Sequence, residues 1–365
     1  MMDNDTGMSY MRDQFTTKSE DVEIIDRPPL VSIIVPVYNG GAHLDRCLSA
    51  IRQSIYEPYE LLVVDNGSTD NSVSIAKSHR AIVLHCPGPS GPGAARNTGA
   101  QGTKGMILFF VDADVVIRPD TTTRIVEHFQ SNEEVAAVFG SYDDNPPAAN
   151  FLSQYKNLLH HFVHQEGSPE ASTFWGGCGA IRKHVFHSVQ GFDQDRYPNP
   201  SIEDIELGYR LRSQGYRILL DKNIQVTHLK EWRLGSLLRA DILYRAVPWS
   251  KLILERKGMI NDLNLQGAQR VCGGLACLIF FLLPLAWVHP VVLLVLFVLS
   301  TTIFFVNRRL FLFFLNRKGL GFLLLAFPMH LVYYLYSVTT FVLCGARFAL
   351  WGKQPAINME SSLRK

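Results

Sequence analysis

Apolar and polar positions are spread unevenly along this chain. After a polar opening stretch closed by Pro28 and Pro29, short β-branched apolar runs alternate with segments of helical periodicity. The runs predict strands at 31–35, 60–64, 81–84, 106–111 and 135–139. Helices are predicted between them at 42–55, 72–78, 94–102 and 119–132. Strands that are apolar throughout and separated by helices are covered on both faces. The pattern therefore implies an α/β domain with a mostly parallel sheet. Ligands of such sheets bind at the carboxyl ends of the strands. Residues 150–230 add a long helical stretch, a glycine-rich loop and a second, acidic helix.

The pattern then changes. Between 232 and 257, Leu234, Leu238, Ile242, Trp249 and Leu252 recur at near-helical spacing among Arg233, Arg239, Arg245, Lys251 and Arg256. That suits a helix lying on an anionic membrane surface with Trp249 at headgroup depth, or one packed on its own domain. From Val271 the chain is strongly apolar. The stretch 271–306 is too long for one span at about 1.5 Å per residue, and Pro284, His289 and Pro290 mark a hairpin of two short spans. Asn307, Arg308, Arg309, Arg317 and Lys318 predict a basic cytoplasmic loop, followed by a third span at 320–343. Three spans leave the C-terminus outside, whereas Arg347, Lys353, Arg364 and Lys365 argue for inside; two or four spans stay open. The expected division is a flexible leader 1–28, a catalytic domain 29–230, amphipathic interface helices 231–269, a transmembrane region 270–350 and a tail 351–365.

Composition narrows the choices. A formal net charge of +2 argues against a dedicated nucleic-acid binder. Residues 1–26 hold no apolar run of the signal-peptide kind. The six cysteines (Cys47, Cys86, Cys178, Cys272, Cys277 and Cys344) include no CxxC pair. They read as small apolar fillers in a reducing compartment, without a disulfide framework or zinc site.

Four constellations carry candidate chemistry. VSIIVPVYN (31–39) is a buried strand broken by Pro36 and ending in a polar turn. In VVDNGSTDNS, Asp65 sits just past a strand, where a carboxylate can accept from a ribose hydroxyl or a base N–H; an Asx-turn or a helix cap is the structural alternative. In PGPSGPGAARNTG (87–99) the glycines admit close backbone approach, the following helix presents amides to an anion, and Arg96 adds a charge. In LFFVDADVV, alternation puts Asp112 and Asp114 on one face at a strand end. Two like charges so close repel, and a divalent cation with hard oxygen ligands, Mg²⁺ or Mn²⁺, relieves the repulsion. Such an ion can neutralise a departing diphosphate.

Taken together, VSIIVPVYN, VVDNGSTD, GPGAARNTG and FVDADVV resemble the donor half of family 2 glycosyltransferases, which have a GT-A fold. FWGGCGAIRKHVF, GFDQDRY and IEDIELGYRLRSQGYRI resemble the acceptor half, so the likeness spans about 30–230. The resemblance implies that Pro36, Tyr38, Asp65, Arg96 and Asp112 contact the nucleotide-sugar donor. It makes Asp114 the principal metal ligand, with Asp112 and His228 beside it. Trp175, Gly176 and Gly177 would shape the acceptor subsite, and Glu203-Asp204 would supply the catalytic base, with Asp204 favoured. An acceptor hydroxyl must lose its proton as it attacks, which is the physical case for a carboxylate there.

One departure is clear: the QxxRW signature of processive synthases is missing, which favours single transfers. The expected activity is inverting transfer from a UDP-sugar to a lipid-linked saccharide or another cell-envelope glycan, at the cytoplasmic face of a multi-pass inner-membrane protein. Direct transfer to polyprenyl phosphate, nucleotidyl transfer and an inactive membrane scaffold are the alternatives.

Overall fold

The computed structural model describes residues 27–88, 90–256 and 267–352. Most of the expected leader, the segment 257–266, and Lys353, Arg364 and Lys365 lie outside the described residues.

The first half follows the predicted alternation. In chain order it comprises β1 (Val31–Val37), α1 (Gly41–Arg52), β2 (Tyr59–Asp65), α2 (Ser72–Ser78), β3 (Ile82–His85), α3 (Gly91–Gln101), β4 (Ile107–Val111), β5 (Val115–Val116), α4 (Thr121–Ser131) and β6 (Val135–Tyr142). Strands β3, β2, β1 and β4 lie side by side and parallel. Every residue of β1 and β4 is buried, as strands covered on both faces require. Pro36 does not break β1. The Val37 carbonyl accepts from Asn66 N on the β2 side, so Pro36 faces the other neighbour. The pairing with β4 has already ended there, at Ile34↔Phe110, and the missing N–H costs no ladder bond.

The second half is mixed. It contains α5 (Phe151–Glu166), β7 (Cys178–Arg182), α6 (Lys183–Ser188), α7 (Glu203–Ser213) and β8 (Arg217–His228). Strand β7, predicted only as part of a glycine-rich loop, inserts antiparallel between β4 and β6. Strand β8 runs parallel to β6 and antiparallel to the short β5, completing the order β3-β2-β1-β4-β7-β6-β8-β5. The sheet is mostly parallel, as expected, and each of its antiparallel pairings involves a strand of the second half. Two apolar cores, one on each face, clamp the sheet.

Beyond β8 come α8 (Leu234–Asp241), a π-helical turn at Ile242–Ala246, α9 (Val247–Arg256), α10 (Gly267–Leu282) and a 3₁₀ turn at Leu283–Trp287. The last described helices are α11 (Pro290–Val306) and α12 (Arg308–Trp351). Two expectations are corrected here. Trp249 packs on its own domain: its indole N–H donates to the Tyr209 hydroxyl at 3.2 Å, in a cluster with Leu252 and Tyr197. The predicted basic loop is instead a helix, the first part of α12, which ends where Gly319 takes φ +80°. Its buried Leu310, Phe311 and Phe314 dock on Tyr155, Leu158 and Leu159 of α5. Arg309 pairs with Glu166, and Arg317 with Asp144, on the catalytic domain.

Gly267–Trp287 and Arg308–Trp351 are each long and apolar enough to cross a membrane, whereas Pro290–Val306 is shorter. Phe281, Trp287 and Val291 expose most of their side chains, an outer surface unlike that of a water-facing bundle. All six cysteines are free.

Candidate active site

The site forms where β4 ends. Asp112 leaves the strand with its N–H donating to the Gly177 carbonyl, and the Val115 N–H closes a tight turn onto the Asp112 carbonyl. Strand β5 then pairs Val115 with His228 at the end of β8, and Leu229 N–H donates to the Asp114 carbonyl. This register sets His228 Nε2 3.5 Å from Asp114 Oδ2. The two aspartates are not equivalent. Asp112 Oδ1 accepts from Arg96 at 2.6 Å, while Asp114 faces His228.

Arg96 stands on α3, whose start needs glycine: Gly91 has φ +82°, and a Cβ there would lie 2.6 Å from the Pro198 carbonyl oxygen. Asn66 fills the space before this helix, accepting from the Ser90 N–H and hydroxyl. The Arg96 side chain is buried, and its second terminal nitrogen donates to Glu203 Oε1 at 3.0 Å. Phe192 lies under one face of the guanidinium. Over it sits Gly176, where a Cβ would come 3.0 Å from Arg96 Cζ. Arg96 thus braces Asp112 and Glu203 with its two terminal nitrogens, while its Nε has no hydrogen-bond partner among the described residues.

Glu203 and Asp204 open α7. Glu203 is buried and spent, accepting from Arg96 and from Ser201 N at 2.9 Å. Asp204 is partly exposed and accepts from Gly176 N at 3.1 Å and Ile205 N at 2.8 Å. Burial, then the Glu203 charge, raise Asp204 to about 6 against the pull of Arg96 and those two amides. Burial alone would raise Asp114 as well. His228 beside it outweighs that, with Lys230 and His43 adding, and the carboxyl falls to about 2. Asp112 is raised by burial and by Asp114, against Arg96.

The remaining predicted residues spread around this centre. Tyr38 is exposed at the mouth of β1, and Pro36 is buried. Asp65 is buried; Oδ1 accepts from Ser68 N in a turn, and Oδ2 lies 3.3 Å from His85 Nδ1. Gly177 leaves room for the Trp175 ring, which a Cβ would meet at 2.7 Å. Trp175 packs edge-on against Tyr142, His160 and His164.

Sequence reasoning missed two supports of His228. Tyr142 stacks on its ring at 4.3 Å, and Asn157 Oδ1 sits 2.9 Å from Nδ1. The signal for Asn157 was available: Asn157, His160, His161 and His164 form one polar face of α5 at helical spacing.

The donor set suits a hard divalent cation. With Nδ1 held by Asn157, His228 turns Nε2 toward Asp114, and the 3.5 Å gap is one that a direct hydrogen bond closes poorly. Among the described residues no three His, Cys, Asp or Glu side chains gather as a complete cage. Mg²⁺ at nucleotide sites is usually held by one or two carboxylates, with the rest from phosphate and water, so Asp114 and Asp112 are the donors that fit it and the His228 nitrogen is an added, softer one.

A mixed sheet with an acidic pair at the end of a central strand and a second acidic pair on a facing helix is the GT-A glycosyltransferase arrangement. Residues 32–189 of the chain match Glycosyl transferase family 2. Over 127 residues it is 30% identical to the glycosyltransferase GlyG of Streptococcus pneumoniae, covering 33% of this chain and 42% of that protein. Over 93 residues it is 41% identical to the glycosyltransferase AglE of Haloferax volcanii, covering 24% and 31%. The chain thus spans less than half the length of these curated relatives. Among solved structures, the mannosyltransferase PcManGT from Pyrobaculum calidifontis, in complex with GDP-Man and Mn²⁺, aligns over 90% of this chain and 89% of its own, at 18% identity and a TM-score of 0.48.

Proposed function

We propose that this protein transfers a sugar from a nucleotide-sugar to a lipid-linked acceptor at a membrane surface, with inversion at the anomeric carbon. The observation that carries the reading is the reach of Arg96, which brings Asp112 of the donor half and Glu203 of the acceptor half to one guanidinium. Asp114 and His228 would hold Mg²⁺ or Mn²⁺, with Asp112 next to them, and the cation would there neutralise the departing diphosphate. Tyr38 and Asp65 border the nucleotide side. Trp175, Gly176 and Gly177 line the acceptor side. Asp204 takes the proton of the acceptor hydroxyl as its oxygen bonds to the anomeric carbon and the bond to the diphosphate breaks. Glu203, already bonded to Arg96 and Ser201, orients the helix that carries Asp204.

The membrane reading rests on α5. One face of this helix docks on the apolar C-terminal helices, and Asn157 on the same helix holds His228. An amphiphilic acceptor lying along those helices would arrive at the site. A UDP-sugar is the preferred donor. Calorimetry with UDP and GDP, each with and without Mn²⁺, on detergent-purified protein tests the donor side. Metal-dependent binding of one of them is expected, and metal-independent or absent binding of both contradicts the reading.

A further inference from the structure

The π-helical turn Ile242–Ala246 is where the catalytic helix and the apolar helices meet. On one side Ser201, whose N–H donates to Glu203, donates its hydroxyl to the Tyr244 carbonyl at 2.9 Å. On the other, Asp241 is gripped by Lys156 of α5 at 2.6 and 2.7 Å and by the Tyr336 hydroxyl of α12 at 2.6 Å. Arg245, within the turn, comes only to 3.9 Å of Asp241, and its side chain is 44% exposed. Lys156 thus meets both oxygens of this buried carboxylate, and Arg245 stands off from it toward solvent. Single π-helical turns inside α-helices are frequent at functional sites, because the extra residue re-aims a side chain.

We propose that Arg245 is the acceptor's anion anchor: its guanidinium binds the diphosphate of a polyprenyl-diphosphate-linked saccharide, holding the lipid end of the acceptor beside the apolar helices while its sugar hydroxyl is presented to Asp204. An arginine suits this task because its planar fork meets phosphate oxygens bidentately. A phosphate placed here restores the charge balance of the Lys156–Asp241–Arg245 trio. The idea rests on the lipid-linked acceptor reading above.

Binding of citronellyl phosphate, citronellol and inorganic phosphate to the full-length protein in neutral detergent tests it, with wild type, Arg245→Gln and Arg245→Lys compared. Wild type should bind citronellyl phosphate at least about tenfold more tightly than Arg245→Gln does, the loss expected for one charged hydrogen-bonding partner. Arg245→Lys should recover part of the affinity, and citronellol should not distinguish the variants. Equal affinity of wild type and Arg245→Gln for citronellyl phosphate overturns the proposal. Inorganic phosphate binding as tightly as citronellyl phosphate also overturns it, since the site would then serve a free anion. UDP binding with Mn²⁺, measured on the same samples, reports the donor site separately. Its absence in wild type counts against the transferase reading, while the citronellyl phosphate comparison still decides the role of Arg245.

Discussion

Arg96 and Glu203 are 107 positions apart in the chain, yet the guanidinium and the carboxylate meet at 3.0 Å in the interior of the domain. The same guanidinium holds Asp112 at 2.6 Å. Removing one member of such a buried set leaves another charge without a partner, which typically costs about 3–5 kcal/mol. Arg96→Met and Glu203→Gln should therefore both lower the unfolding midpoint in urea or heat. Midpoints unchanged from wild type would contradict the bracing role.

Asp204 should behave differently. It is partly exposed and paired only with backbone amides, so Asp204→Asn should keep the wild-type unfolding midpoint and donor affinity. Turnover should fall by about 10²–10⁴-fold, the usual worth of a general base, because its work appears only in the transition state. Steady-state kinetics with a donor titration checks this. A loss in donor affinity with turnover preserved would move Asp204 out of the acceptor half.

The pH profile follows from the same carboxyl. Asp204 is raised to about 6 by burial and by Glu203, and only its deprotonated form can accept a proton. Turnover should rise as pH climbs through about 6 and be lost below it. An ordinary aspartate would place that limb near about 4. A measured limb near 4 would mean that the protein environment does not tune this group.

Metal dependence should divide between two side chains. Asp114→Asn and His228→Ala should each weaken Mn²⁺-dependent nucleotide binding, the first more, since it removes the charge. Asn157→Ala should weaken it less, through a misaimed imidazole. Equal nucleotide affinity with and without chelator in the wild type would count against the whole donor site.

Much of this was readable in the sequence, and the failures have physical reasons. The parallel strands and α2 were legible because they are continuous apolar runs or clean helical repeats. Strand β7 was not, since Cys178 and Gly179 read as loop; it exists because β4 and β6 flank it and supply its partners. Of strand β8 only the end, Ile224 to Thr227, reads as strand, because Asp221, Lys222 and Asn223 interrupt the middle of a twelve-residue strand. The first part of α12 looked like a loop because charges crowd both of its ends. Its buried face, Leu310, Phe311 and Phe314, belongs to a helix docked on α5. At the site, the positions of Asp112, Asp114, Glu203 and Asp204 could be inferred, but the long-range role of Arg96 could not. Charge complementarity between distant segments leaves no local pattern.

The apolar C-terminal helices predict retention in the membrane. The full-length protein should stay with the pellet in alkaline carbonate, and detergent should release it. Complete release by carbonate would mean that Gly267–Trp287 and Arg308–Trp351 do not span.

The central claim is that the two acidic pairs form one metal-dependent transferase site. Release of nucleoside diphosphate from a panel of nucleotide-sugars, with purified full-length protein and a polyprenyl-diphosphate-linked saccharide acceptor, tests it most directly. The account predicts release from one donor class only in the presence of Mg²⁺ or Mn²⁺, abolished by Asp114→Asn and reduced at least about a hundredfold by Asp204→Asn. Release that persists in chelator, or that is unchanged in both variants, would contradict it.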